Sequence, residues 1–265
     1  DVDYFTEAHW EGRVEMTETE ETKQIRGAQL EFGGIYYNKQ PKLYKKIRER
    51  SYENIGYGPI TLPAFEYDTT GFSLMPPKPW VASMELNDKR FIGAGLYGLS
   101  YILRHAAPAF CMADINDIAT DVALVEMDTQ LWKSALYMFD TIEGGVGYAE
   151  RIFEMLESCL EMCSTIIEEC ECLAGCPSCV PPLPPGITNE NLESFLVESN
   201  GSIECTQSLL IALLNGKIVV PKIISQSLTI PPTDVTPVID LEKEKRKRKL
   251  NRAAKTLKKK RERVH

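Results

Sequence analysis

Cys170-Glu171-Cys172-Leu173-Ala174-Gly175-Cys176-Pro177-Ser178-Cys179 places four cysteines within ten residues, in the spacing C-x-C-x3-C-x2-C. Gly175 and Pro177 flank the third cysteine, where a helix is awkward to continue, so the stretch reads as a compact loop. Thiolates this close repel one another unless a cation sits between them, and Zn2+ accepts four sulfurs at about 2.3 Å in a tetrahedron. A closed shell of four thiolates leaves no position for water, which makes the expected site structural and not catalytic. The C-x2-C half is a recognised zinc spacing, while C-x-C is the rarer first half. An iron–sulfur cluster, also built on four thiolates, is the competing metal, and four packed, reduced cysteines are the metal-free alternative.

Upstream of the loop, Ala149, Ile152, Phe153, Leu156, Leu160, Cys163, Ile166 and Ile167 form the apolar stripe of a long helix that ends at the cysteines. Cys159 and Cys163, one helical turn apart, read as small packed residues. Before that helix, Ser134–Asp140 is a nearly unbroken apolar run, the pattern of a buried strand, and it leads into Thr141-Ile142-Glu143-Gly144-Gly145-Val146-Gly147-Tyr148. A strand, a glycine turn and a helix can bind phosphate at the helix N-terminus. The motif here is only G-G-x-G, without a full G-x-G-x-x-G or a Walker lysine, so Gly144, Gly145 and Gly147 are expected to serve as a structural turn.

Residues 12–74 read as β-rich, with strand-like runs at Arg13–Thr19, Gln29–Tyr37, Tyr44–Ile47 and Pro59–Leu74 punctuated by glycine and proline. Within them Tyr36, Tyr37, Lys39, Lys42, Tyr44, Lys45, Lys46, Arg48, Arg50 and Tyr52 interleave six cations with four tyrosines against one acid, Glu49. Cations meet phosphates and aromatic faces stack on unpaired bases, so Tyr37, Lys39, Lys42, Tyr44, Lys45, Lys46 and Arg48 are candidate nucleic-acid contacts. A solvated sheet face with buried tyrosines is the equal alternative. Met75–Trp80 reads as a linker and Asp88–His105 as a helix, with His105 packing or satisfying helix carbonyls at its end. Cys111, Asp114 and Asp117 fall in a loop, where capping is the expected role of the acids.

Beyond the cysteines, Val180-Pro181-Pro182-Leu183-Pro184-Pro185-Gly186 is stiff and extended. Glu204–Asn215 follows as a short amphipathic helix with Cys205 packed, 216–240 as an extended arm, and 241–265 as a basic helical tail. Residues 1–80 and 81–215 are expected to form one compact unit. The fold class is α+β: a small antiparallel β-sheet or partial barrel followed by a helical region carrying a four-cysteine zinc loop.

Thirteen of the 30 Lys and Arg but three of the 38 Asp and Glu fall in 241–265, so the tail is +10 and residues 1–240 are −18. That asymmetry suggests an extension seeking an acidic partner. No apolar run reaches the roughly 18 residues that suggest a membrane span, and neither a signal peptide nor a disulfide framework is legible, which points to the cytoplasm. The opening Asp1-Val2-Asp3-Tyr4-Phe5 reads as the edge of a piece cut from a longer protein.

Phe139–Glu150 taken together with Glu169–Val180 resembles the C-terminal zinc-binding domain of the mitomycin repair factor A-like helicases, a branch of superfamily 2. Tyr44-Lys45-Lys46-Ile47, Glu53-Asn54-Ile55-Gly56, Leu62-Pro63 and Tyr67-Asp68-Thr69-Thr70-Gly71 follow in the order seen in that family, and the resemblance covers roughly residues 10–215. It implies zinc on Cys170, Cys172, Cys176 and Cys179, beside two RecA-like lobes that hydrolyse ATP and translocate 3′ to 5′ on DNA in repair or genome maintenance. The motor motifs are absent from this sequence, so the chain alone is not expected to hydrolyse ATP. The proline-rich arm and basic tail depart from the family pattern. The expected role is an accessory domain that binds or guides single-stranded DNA beside helicase lobes in the same or a partner chain. The other readings are a protein-interaction module that couples a helicase partner, and a nucleotide enzyme built on the glycine turn.

Overall fold

The computed structural model describes residues 3–49, 53–124, 133–172, 175–181 and 202–221. All lie in one compact unit, Asp1–Lys222; the second unit, Ile223–His265, is outside the described residues, and with it the basic tail and most of the arm.

Two long strands, β1 (Tyr4–Ile25) and β2 (Ala28–Arg48), pair antiparallel along their length. Arg26 and Gly27 connect them with φ of 45° and 87°, the left-handed pair of a two-residue hairpin whose twist matches its strands. The outer half of β2 pairs with β3 (Asn54–Pro59), and the inner half with β4 (Phe65–Met75). Next come β6 (Ala135–Asp140) and, at the edge, β5 (Ile118–Ala123), giving the order β1-β2-β4-β6-β5 with β3 on β2. Register shifts at His9/Trp10, Met16/Glu18 and Thr19/Glu21 break the ladder of the hairpin, and bulges of this kind bend and twist a strand. The sheet curls until β5 approaches β2 across the opening, where Lys39 Nζ and Asp121 lie 3.6 Å apart. The result is an antiparallel sheet nearly closed into a barrel.

Leu30, Phe32, Phe72, Leu74, Leu136 and Met138 point from the sheet into the main core. Facing them are α2 (Arg90–Ala106), α4 (Tyr148–Glu154), α5 (Leu156–Glu168) and α6 (Ile203–Asn215), with α1 (Lys78–Asn87) and the short α3 (Pro108–Cys111) alongside. Fully burying each large apolar side chain contributes about 1.5–3 kcal/mol, so this interface carries most of the stability. α6 lies close on α2 because Gly98 has no side chain: a Cβ there would fall 1.9 Å from Thr206 Oγ1. Trp80 Nε1 on α1 donates to Ser208 Oγ on α6 at 2.9 Å, tying a third helix to the pair. No helix among the described residues is long and apolar enough to cross a membrane.

Some elements differ from the sequence reading. Met75–Trp80 is no linker: it spans the end of β4 and the start of α1, whose first turn accepts Pro79 because the N–H groups there have no helical partner. β5 went unread because its short run follows a loop rich in acids. The expected long helix breaks at Met155 (φ −101°, ψ 18°) into α4 and α5.

Candidate functional site

The cysteine loop follows directly from the end of α5. Its Sγ atoms lie 3.3 Å (Cys170–Cys172), 3.5 Å (Cys170–Cys176), 3.4 Å (Cys172–Cys179) and 3.6 Å (Cys176–Cys179) apart. All four fall within 4.8 Å of one another. Four sulfurs each about 2.3 Å from a central ion stand about 3.8 Å apart, so the cluster has the size and donor chemistry of a tetrahedral thiolate site for one ion. A multi-iron cluster spreads its thiolates around several metal atoms and needs wider spacing. The four-cysteine cluster therefore fits structural Zn2+.

The loop is anchored to the helices on both sides. Cys170 N–H donates to the Ile167 carbonyl at 3.3 Å, and Cys179 N–H to the Cys176 carbonyl at 3.1 Å. Tyr101 on α2 donates its hydroxyl to the Pro177 carbonyl at 2.7 Å, while Cys179 and Val180 are buried in the main core. The Ser178 backbone N–H draws the Cys176 thiol down to about 7. Hydrogen bonding with Cys170 and then with Cys179 pushes the Cys172 thiol up to about 12. Cys159, Cys163 and Cys205 stand apart from the cluster; burial pushes Cys159 and Cys205 up to about 12 and Cys163 higher still, as for packed thiols. His105 Nδ1 meets the Tyr101 carbonyl at 2.7 Å and its ring stacks on Tyr101, a helix-end role.

Gly144, Gly145 and Gly147 have φ of 80°, 74° and 91°. Their turn encloses an anion that belongs to the chain. Asp140, fully buried at the end of β6, accepts from the N–H groups of Val146 (2.6 Å), Gly147 (2.9 Å) and Ala149 (2.8 Å). Those are the donors that a phosphate at the start of α4 needs, and a carboxylate already holds them. Gly145 packs on β4, where a Cβ would fall 2.0 Å from Thr70 Oγ1.

The candidate nucleic-acid residues of β2 fall into two groups. Tyr37, Lys39 and Lys45 line the opening of the curl. Tyr37 contacts Phe65, Tyr67 and Phe139, and burial, with Asp121 adding, pushes its hydroxyl up to about 12. Lys39 pairs with Asp121, and Lys45 borders the same hollow. Lys42, Tyr44, Lys46 and Arg48 do not border that hollow, and the register shift that skips Lys42 interrupts the alternation of β2 between the two groups. The Tyr44 ring covers Gly58, Lys46 Nζ lies 5.5 Å from the Tyr4 ring centre, Lys42 donates to Gln40, and Arg48 pairs with Glu53 at 3.3 Å. Arg50 and Tyr52 lie outside the described residues. The structure adds Trp10, Leu62, Pro63 and Phe65 beside Tyr37 and Lys39. No local pattern ties them to Tyr37 and Lys39, because Trp10 sits in an acidic run and its neighbours come from a distant loop.

A curled antiparallel sheet with one helical layer and a closed four-thiolate loop defines a structural zinc-binding domain. Residues 99–180, from the middle of α2 through the last cysteine, match the family model of the MrfA Zn-binding domain, and the chain carries that domain. It is 32% identical over 180 residues to the uncharacterized ATP-dependent helicase YprA of Bacillus subtilis, covering 68% of this chain and 23% of that one. An uncharacterized protein of Methanocaldococcus jannaschii is 33% identical over 63 residues, 24% of this chain and 56% of its own. Among solved structures, the DUF1998 helicase MrfA bound to DNA superposes with a TM-score of 0.52 at 28% identity, over 75% of this chain and 26% of that one. The chain thus spans about a quarter of the length of these helicases.

Proposed function

We propose that this chain is the accessory zinc-binding domain of an ATP-dependent 3′–5′ DNA helicase, acting in DNA repair or genome maintenance in the cytoplasm. It binds or guides single-stranded DNA beside RecA-like lobes in the same or a partner chain. The observation that carries this reading is the match of both the four-cysteine domain and the wider fold to a helicase whose structure contains DNA. Within the proposal, Cys170, Cys172, Cys176 and Cys179 hold one Zn2+, which fixes α5 to α2. Through the shared core these helices hold β4 and β6, and the curl presents Tyr37, Lys39 and Lys45 at its opening and Lys42, Tyr44, Lys46 and Arg48 elsewhere along β2. Gly144, Gly145 and Gly147 shape the turn around Asp140, and the motor supplies all ATP chemistry.

Equilibrium binding of a fluorescent single-stranded oligonucleotide tests this. Binding that weakens as salt rises is expected, because phosphate contacts release counterions. An oligonucleotide that stays free even at low salt contradicts it. That result favours a protein-interaction module coupling a helicase partner, a reading supported by the −18 charge of residues 1–240.

A further inference from the structure

The opening of the curl holds two adjoining hollows that share Trp10 and Lys39. One, of about 540 Å³, is walled by Trp10, Tyr37, Pro41, Leu62, Pro63 and Phe65. The other, of about 390 Å³, is polar and includes Glu7, His9, Lys45, Tyr97 and Asp121. Trp10 lies on the side of Lys39 by simple alternation: Gly12 pairs with Lys39 and Trp10 with Pro41 in unbroken register. The ladder breaks only beyond them, where His9 pairs with Leu43 and Lys42 of β2 is skipped, a bulge that bends the hairpin at the rim of this place. The aromatic walls remain open: Trp10 is 49% and Phe65 60% exposed, although each is large enough to repay burial.

Resting on the nucleic-acid reading above, we infer that this groove is a stacking site for unpaired bases of a single strand. A base enters the apolar hollow against Trp10 and Phe65, and its phosphate lies at the junction near Lys39, with Lys45 beyond. Two features select this ligand. Aromatic faces flanked by cations suit a molecule that is flat and apolar on one side and anionic on the other. The Lys39–Asp121 ion pair holds the ammonium at the boundary between the hollows instead of leaving it to wander. Glu7 and Asp121 in the polar hollow oppose a ligand that offers negative charge alone, so stacking carries the affinity and the salt dependence is shallow. A duplex keeps its base faces covered and does not enter. A proline-rich peptide also fits aromatic grooves, but it has no use for the lysines at the junction.

The test is fluorescence anisotropy of a labelled oligothymidylate with the zinc-loaded chain, alongside quenching of its tryptophan emission. Trp10→Ala and Phe65→Ala each weaken binding by about tenfold or more, Trp10→Ala removes the quenching, and both keep their zinc and melting temperature. The triple variant Lys42→Ala/Lys46→Ala/Arg48→Ala, outside both hollows, retains the quenching and loses less than either. If the two aromatic variants bind as the parent does while the triple variant fails, the groove is not the site, although strand binding stands. If the parent chain binds no oligothymidylate at low salt, both the groove and the nucleic-acid reading fail. A proline-rich peptide that quenches Trp10 where the oligonucleotide does not overturns this inference in favour of a peptide groove.

Discussion

The two ends of the molecule are held together by different means. At the cysteine end, four ligands from ten consecutive residues converge on one point, and Tyr101, Cys179 and Val180 lock that point into the buried faces of α2 and α5. At the open end of the curl, side chains from β1, β2, β5 and the segment before β4 line a groove in which Trp10 and Phe65 stay about half exposed. The first arrangement spends a metal's binding energy on rigidity. The second leaves apolar surface available to a partner. A rigid anchor beside an open surface suits the proposed accessory role, since a groove can hold a strand only if the sheet behind it does not shift.

The largest effect that sharpens this contrast comes from metal removal. Structural zinc sites carry apparent binding free energies on the order of 10 kcal/mol, comparable to the whole stability of a typical domain. A strong chelator is therefore expected to abolish the helical circular dichroism. Hydrogen exchange should show α5 and the middle of α2 opening first.

Next in size is the buried carboxylate between β6 and α4. Asp140→Ala strips the acceptor from three backbone N–H groups in a closed turn, at a cost on the order of 3 kcal/mol. Asp140→Asn should lose less, and the midpoint of urea unfolding measures both.

Gly98→Ala is expected to cost about 1–3 kcal/mol, because the new methyl group meets Thr206 Oγ1. Thr206→Ala in the same chain should recover part of that loss in a double-mutant cycle, which identifies the clash itself as the cause.

The curl also makes a pH prediction. Burial raises the hydroxyls of Tyr37, Tyr67, Tyr97 and Tyr137 above the ordinary tyrosine value of 10.0, Tyr37 to about 12. The folded state thus holds these protons more tightly than the unfolded chain. Their contribution is fully present below pH 10 and is lost as pH rises through about 12. Tyrosinate absorbance followed alongside circular dichroism should show late-titrating tyrosines ionising together with unfolding.

The smallest expected stability effect is that of Trp10→Ala, within about 0.5 kcal/mol, since half of that side chain already faces solvent. A larger loss would mean that the groove is part of the structural core and would weaken the contrast between the two ends.

What the sequence disclosed follows the same division. The cysteine loop was legible because its ligands are neighbours in the chain, and β6, the glycine turn and the stripe of α5 were legible because periodicity is local. Which cations of β2 border the opening was not legible, because the register shift at Lys42 interrupts the alternation of that strand. The groove was not legible. Trp10 and Phe65 lie fifty-five positions apart, and only the pairing of β1 with β2 and β2 with β4 brings their side chains to one place. Asp140 was hidden for a similar reason: as the last residue of an apolar run it looks like a strand end, and only the fold places the start of α4 over it.

The central claim is that one zinc ion on Cys170, Cys172, Cys176 and Cys179 pins the helical layer to the sheet. Metal content measured together with thermal melting, for the parent chain and for Cys176→Ser, tests it most directly. The account predicts one zinc per chain for the parent, and a variant that has lost the metal and its cooperative melt. A Cys176→Ser chain that keeps stoichiometric zinc and the parent melting temperature would contradict it, as would a parent chain that carries iron and sulfide.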